Sequence, residues 1–215
     1  LKNDLPNIIL IATGGTISSK LDYETGAVKW LTKPDELLKI YPELFEIANI
    51  VKIEIPFMKA SENMGFDDWS KLAEVCGKYL NDSKIDGIIV THGTDFLHYT
   101  GAALSFALKN LNKPIVLTYS QRSSDRASSD ARLNLICAAR AATSDIAEVM
   151  LVGHGNLNDE HCYALLGTKV RKMHSSRRDT FRPVNCLPIA KIYPDKIEVM
   201  NKYNIRDNDK NVIVM

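Results

Sequence analysis

Two short stretches of this sequence gather hydroxyls, carboxylates and glycines of the kind that can transfer an acyl group. Thr13-Gly14-Gly15-Thr16-Ile17 sets two hydroxyls around a pair of glycines. Glycine lets backbone turn sharply and approach a ligand closely. The stretch is neither a dinucleotide fingerprint nor a phosphate-binding loop, because the third glycine and the Gly-Lys-Ser/Thr ending are both missing. Taken alone, it reads equally as a strand-ending turn. His92-Gly93-Thr94-Asp95 places another hydroxyl beside a carboxylate. That carboxylate suits a substrate ammonium or a lysine, and it also suits a helix cap.

A threonine hydroxyl attacks a carbonyl only when a base relieves it of its proton. A lysine can serve if it is partly desolvated or electrostatically constrained. Lys169, Lys172 and Lys191 are the late candidates, and spacing does not choose among them. The five histidines carry no metal-ligand spacing, and His92 and His154 are expected to hydrogen-bond to loop backbone. Cys76, Cys137, Cys162 and Cys186 lie far apart, which argues against a zinc site or a redox pair and for free thiols in a reducing compartment. The run from Lys169 to Arg178 is the strongest basic cluster, a solvated loop or a contact for RNA phosphate or an acidic partner.

These groups need a scaffold that brings them together. Apolar runs at Ile8–Ala12, Val51–Pro56, Gly87–Thr91, Pro114–Thr118 and Ala147–Val152 predict strands. Nearly all end in loops of Gly, Ser, Thr, Asp or Arg. Between them, Trp69, Leu72, Ala73, Cys76, Tyr79 and Leu80 recur at helical spacing behind Asp67 and Asp68, and 102–108 and 131–142 are rich in alanine and leucine. Short apolar strands joined by helices imply a mainly parallel sheet with helices on both faces, an α/β fold. Ligands bind such sheets outside the carboxyl ends of the strands, where the polar loops converge. Residues 18–30 predict a hairpin, either a lid over those ends or a plain surface loop. From Asp195 onward the chain turns polar and predicts a linker or exposed tail.

The chain has 215 residues, 45% hydrophobic, with a formal net charge of +1. That is room for one substantial core, and it supplies no global basic field for nucleic acid. The apolar runs are too short to span a bilayer, and no secretory signal opens the chain. Beginning at Leu1, it reads as a piece of something longer.

Together, Thr13-Gly14-Gly15-Thr16-Ile17 and His92-Gly93-Thr94-Asp95 resemble the paired signature of the bacterial-type L-asparaginase family, and the likeness extends from Ile8 to Tyr203. Three further stretches, 22–28, 121–126 and 169–182, resemble the branch of that family formed by glutaminase subunits of archaeal glutamyl-tRNA(Gln) amidotransferases. The resemblance implies the family's Rossmann-like, three-layer larger domain over residues 1–194. Residues 195–215 would then be a linker toward a smaller C-terminal domain, and the chain would be expected to lack both that domain and the branch's N-terminal extension. In asparaginases that smaller domain helps complete a neighbour's site.

Carried over by position, the resemblance makes Thr16 the nucleophile and Thr94, Asp95 and Lys172 the second catalytic group, selecting Lys172 over the other lysines. Ser61 and Glu62 would grip the substrate's α-carboxylate and α-amino groups, and Tyr23 would be the lid tyrosine. The implied activity is release of ammonia from glutamine, with no metal or cofactor in this chain. An E-type partner subunit would use ATP and magnesium to amidate Glu-tRNA(Gln). A cytoplasmic homodimer away from membranes is expected. The rival expectations are a free-standing L-asparaginase and a non-catalytic scaffold that binds an amino acid or a partner. Phe96, Ala127 and the Tyr119-Ser120 pair depart from the family pattern, which commonly has threonine, proline and two small residues at those places.

Overall fold

The computed structural model describes residues 4–15, 19–21, 28–30, 39–122 and 128–215. The first apolar run forms β1 (Asn7–Ala12), and a short antiparallel hairpin of β2 (Ser19–Leu21) and β3 (Val28–Trp30) follows. The next elements are α1 (Leu44–Ile47), β4 (Asn49–Glu54), α2 (Phe66–Leu80), β5 (Gly87–Thr91) and α3 (Leu97–Ala107). Then come β6 (Leu108–Lys109), β7 (Ile115–Thr118), α4 (Ala131–Ala142) and β8 (Val149–His154). The chain finishes through β9 (Cys162–Leu166), β10 (Val170–Lys172), β11 (Phe181–Pro183), β12 (Ala190–Ile192), β13 (Ile197–Val199) and β14 (Ile213–Val214).

The main sheet has the order β13-β12-β9-β8-β7-β5-β1-β4. The five strands from β4 to β8 pair in parallel, and β9, β12 and β13 extend the sheet antiparallel. Strands β5, β7 and β8 are buried along their whole length, which is why they read as continuous apolar runs rather than alternating ones. In β1, Ile8, Leu10 and Ala12 face a layer with Leu44, Ile47 and α4, whereas Ile9 and Ile11 face Leu72, Cys76, Leu80 and Leu104 of α2 and α3. Helices therefore cover both faces. Leu72 is fully buried, and such a side chain contributes roughly 2 kcal/mol by leaving water.

Numbered along the chain, the five parallel strands run 2-1-3-4-5, the doubly wound order whose crossovers diverge between β1 and β5. The carboxyl ends of those two strands carry the two motifs. The predicted strands and helices all form, with edges shifted by a few residues. What the pattern did not announce is the antiparallel extension and the fate of the polar end.

Residues 195–215, expected as a linker or exposed tail, are docked on the body. Strand β13 joins the sheet, Arg206 pairs with Asp86 at 3.0 Å, Asn204 N donates to Glu148 at 2.9 Å, and β14 pairs with β6. Asn81 and Val212 exchange two hydrogen bonds. Of the polar residues read as tail signals, Asn204 and Arg206 are spent on these contacts, whereas Asn201, Lys202 and 208–211 are exposed.

All four cysteines are free. Burial pushes the Cys76 thiol up to about 12 and that of Cys162 well above its ordinary value, so both behave as small core hydrophobes. Among the described residues no helix is long and apolar enough to cross a membrane.

Candidate functional site

Strand β1 hands over to Thr13-Gly14-Gly15, and three loops are stitched together there. Thr13 donates to the Thr91 carbonyl through both its hydroxyl (3.0 Å) and its backbone N–H (3.2 Å). Lys59 N donates to the Thr13 carbonyl at 3.0 Å. Gly14 and Gly15 have φ of +143° and +83°. A Cβ on Gly14 would lie 2.3 Å from the Lys59 oxygen, and one on Gly15 would lie 2.6 Å from the His92 oxygen. The glycine turn is thus pressed between the loops that follow β4 and β5.

The β4 loop carries Ser61 in a single 3-10 turn, Ser61–Asn63. Lys59 Nζ binds Asp68 in the first turn of α2 at 2.7 Å, tying this loop to the helix. The buried Ser61 hydroxyl accepts the Phe96 N–H at 3.2 Å, so Ser61 sits against the Thr94 loop. Glu62 beside it is exposed.

The β5 loop is braced from beneath. Trp69 Nε1 donates to the Thr100 hydroxyl (2.9 Å), which meets His92 Nε2 (2.8 Å), while His92 Nδ1 meets the Gly93 carbonyl (2.7 Å). A carbonyl can only accept, so Nδ1 carries the proton and Nε2 accepts from Thr100. His92 is 1% exposed, and burial lowers its pKa to about 4. The unfolded chain holds its histidine near 6.5. Between those values the unfolded state binds the extra proton, so stability is full above pH 6.5 and drains as pH falls toward 4. The loss is expected to reach about 3 kcal/mol. Urea unfolding from pH 7 to 4.5 checks this: His92→Gln should flatten the slope by about one proton, and an unchanged slope would contradict the assignment.

The lysine arrives from the far side. Strands β10 and β11 form a separate antiparallel ribbon, with Lys172 opposite Phe181. Lys172 Nζ lies 2.8 Å from Thr94 Oγ1 and 2.8 Å from Asp95 Oδ1. The Lys172 side chain is 12% exposed, against 60% for Asp95. Lys169 is exposed at the foot of the ribbon, and Lys191 lies out in β12 of the antiparallel extension. Of the three candidates, Lys172 is the one that meets the Thr94-Asp95 pair.

Thr16 and Tyr23 lie outside the described residues, as do 22–27 of the predicted hairpin and Ala127. Its strands β2 and β3 do pair, Ser19 opposite Trp30. His154, expected to bind loop backbone, instead joins Asn134 Oδ1 (2.6 Å) and Asp159 Oδ1 (3.0 Å), because its strand end faces α4. The basic run is partly neutralised within the fold, through Lys172, Arg177 and Arg178, while Lys169 and Arg171 are exposed. Arg177 and Arg182 pair with the buried Asp179, and Arg178 pairs with Asp159. The Arg177 hydrogen bond, with the Arg182 charge behind it, lowers the Asp179 pKa against the effect of burial.

Sequence reasoning missed Asp130. It is fully buried and gathers the backbone N–H groups of Gln121 (2.9 Å) and Arg122 (3.0 Å), shaping the loop after β7. An aspartate just before an alanine-rich helix is a cap signal, but its reach back across eight residues is not visible in the pattern. Among the described residues no group of three His, Cys, Asp or Glu side chains could hold a metal ion.

Known proteins resemble this chain in sequence and in fold. The family described as "Asparaginase, N-terminal" matches residues 7–204. Proteins named as the D-type subunit of glutamyl-tRNA(Gln) amidotransferase are similar to this chain. That of Thermococcus kodakarensis is 55% identical over 93% of the chain and 45% of its own length. That of Pyrococcus abyssi is 53% identical over 99% and 48%. The chain therefore spans less than half the length of these relatives. Among solved structures, the thermostable L-asparaginase from Thermococcus kodakarensis superimposes with a TM-score of 0.79 at 28% identity, covering 97% of this chain and 60% of that one. A probable cytoplasmic L-asparaginase from Campylobacter jejuni gives 0.75 at 27%, covering 91% and 57%. With its fold, its two strand-end motifs and a match over most of its length in agreement, this chain belongs to the asparaginase family.

Proposed function

We propose that this chain is the amide-hydrolysing part of a glutamine-dependent amidotransferase, releasing ammonia from glutamine by acyl transfer to a threonine. The observation that carries the reading is the Lys172 amine held 2.8 Å from both the Thr94 hydroxyl and the Asp95 carboxylate, at the strand ends that flank the Thr13 loop. Thr16 attacks the side-chain carbonyl carbon as its proton passes to a nearby group, which hands a proton on to the departing nitrogen. The C–N bond breaks, the nitrogen takes a proton and ammonia leaves. Water then hydrolyses the threonine ester, returning glutamate and the free hydroxyl. Lys172 is the base, acting on the Thr94 hydroxyl or on water, with Asp95 orienting it. Backbone N–H groups at Gly93 and Thr94 are the oxyanion donors in this scheme, each contributing roughly 3 kcal/mol when aimed at the developing charge. Ser61 and Glu62 hold the substrate's α-groups, and Tyr23 closes over it. None of these steps calls on a cofactor or metal in this chain.

Identity favours the glutamine reading over free-standing asparaginase. The relatives named as amidotransferase subunits share 53–55% identity, against 27–28% for the asparaginase structures. On this reading the full protein works as a homodimer in the cytoplasm and passes ammonia to an E-type subunit. That partner amidates Glu-tRNA(Gln) with ATP and magnesium.

The test is ammonia release by the full natural chain with its partner, from glutamine and from asparagine, with and without misacylated Glu-tRNA(Gln). Glutamine is expected to be the better substrate, with turnover rising when the tRNA is added. Equal asparagine turnover with no tRNA effect would instead mark an asparaginase. No turnover of either amide would mark a scaffold.

A further inference from the structure

The ribbon that carries Lys172 has no ladder hydrogen bonds to the main sheet. An isolated two-stranded ribbon is marginal in water, so its position depends on its own Val170 and Phe181, which are buried in the core, and on side chains that reach it from elsewhere. Several contacts meet the turn at 173–180, among them a partly buried hydrogen bond from Arg178 Nη2 to the Ser128 carbonyl at 2.7 Å. Gln121 Nε2 donates to the Arg177 carbonyl at 3.0 Å, but this bond is exposed. Arg178 pairs with Asp159, whose side chain is 65% exposed, and ion pairs of that kind contribute little. Tyr119 meets the turn as well, and its side chain is fully buried.

Tyr119 is the first residue beyond β7, and its backbone is pinned by Asn134 Nδ2, which donates to its carbonyl at 2.9 Å. From there its side chain stands as a post between sheet and ribbon. The phenol donates to the Arg178 carbonyl at 2.8 Å, and the ring packs on Phe181 at 4.7 Å between centroids. Phe181 is the cross-strand partner of Lys172. Gly153 of β8 makes the room: a Cβ there would come within 2.3 Å of the Tyr119 ring. Burial also holds the phenol pKa well above its ordinary value, so it remains a donor.

We infer that Tyr119 is a positioning residue for Lys172, setting the height of the β10–β11 ribbon through Arg178 and Phe181 so that the amine reaches Thr94 and Asp95. The inference rests on the reaction proposed above. A displacement of about 1 Å at a reacting group can cost ~10²-fold in rate. Losing one hydroxyl while the ring stays should displace the ribbon less.

Tyr119→Phe, Lys172→Ala and the double variant, made in the full natural chain, test it. For Tyr119→Phe, kcat for glutamine is expected to fall ~10-fold with KM within twofold. In the Lys172→Ala background the same change should alter the residual rate less than twofold, because both act through one amine. Independently of activity, hydrogen exchange at Met173 N and Val184 N, which bond to Thr180 and Lys169 across the ribbon, should quicken at least ~10-fold while the amides of β5 and β7 keep their rates. Unchanged kcat in Tyr119→Phe, where Lys172→Ala is impaired, overturns the inference and leaves the reaction scheme standing. Full turnover in Lys172→Ala sinks the scheme, and the exchange rates then decide alone: unaltered exchange at Met173 and Val184 overturns the positioning role.

Discussion

Lys172→Ala is expected to slow ammonia release from glutamine by ~10²–10⁴-fold, the usual contribution of a general base. That corresponds to about 3–5 kcal/mol of transition-state stabilisation. KM should stay within a few-fold, because the amine touches Thr94 and Asp95 rather than the groups assigned to the substrate's α-carboxylate and α-ammonium. The fold should barely notice. Asp95 is more than half exposed, and an ion pair with one such partner stabilises by less than about 1 kcal/mol. Lys172→Arg should not rescue the rate: guanidinium keeps the charge but does not give up its proton. Steady-state kinetics beside a thermal melt checks both halves. Turnover within threefold of the natural chain would remove Lys172 from the chemistry.

The second large effect falls on stability. Gly14→Ala puts a Cβ 2.3 Å from the Lys59 carbonyl at a φ of +143°. The strained dihedral costs about 1–3 kcal/mol, and the overlap with fixed backbone adds a similar amount. The Lys59 carbonyl cannot retreat freely, because Lys59 N is bonded to Thr13 on one side and its amine to Asp68 on the other. A loss of about 4 kcal/mol lowers the melting temperature of a domain this size by roughly 8–16 °C. A shift below 2 °C would show that the loop relaxes, and that the glycine is there for ligand approach rather than for the turn.

The parallel half of the sheet was legible because its strands are buried on both faces and therefore spell uninterrupted apolar runs such as Gly87-Ile88-Ile89-Val90-Thr91. The antiparallel half was not. Strands β12 and β13 have three residues each, and Ala190-Lys191-Ile192 and Ile197-Glu198-Val199 alternate too briefly to stand out from loop. The polar end misled for a related reason: Arg206 and Asn204 look solvated in sequence, yet they bind carboxylates on the body, where Asn81 also holds the Val212 backbone.

At the site, Thr94 and Asp95 could be marked from composition and from their place at a strand end. The lysine could not. Its register depends on how the β10–β11 ribbon docks, which no local pattern encodes, and only the family resemblance singled out Lys172. Tyr119 stood out as a departure from the family pattern, but its work lies in a hydroxyl aimed at a carbonyl 59 residues away.

The site is also an assembly of distant parts. Thr13 meets Thr91 across 78 residues of chain, and Lys172 meets Thr94 across another 78. Closing loops of that length costs entropy before any contact repays it, so contacts of this kind form late in folding. During synthesis the amino-terminal hydroxyls and the Asp95 carboxylate leave the ribosome well before the amine. A nascent chain therefore holds only part of this arrangement until the β10–β11 ribbon has emerged and docked.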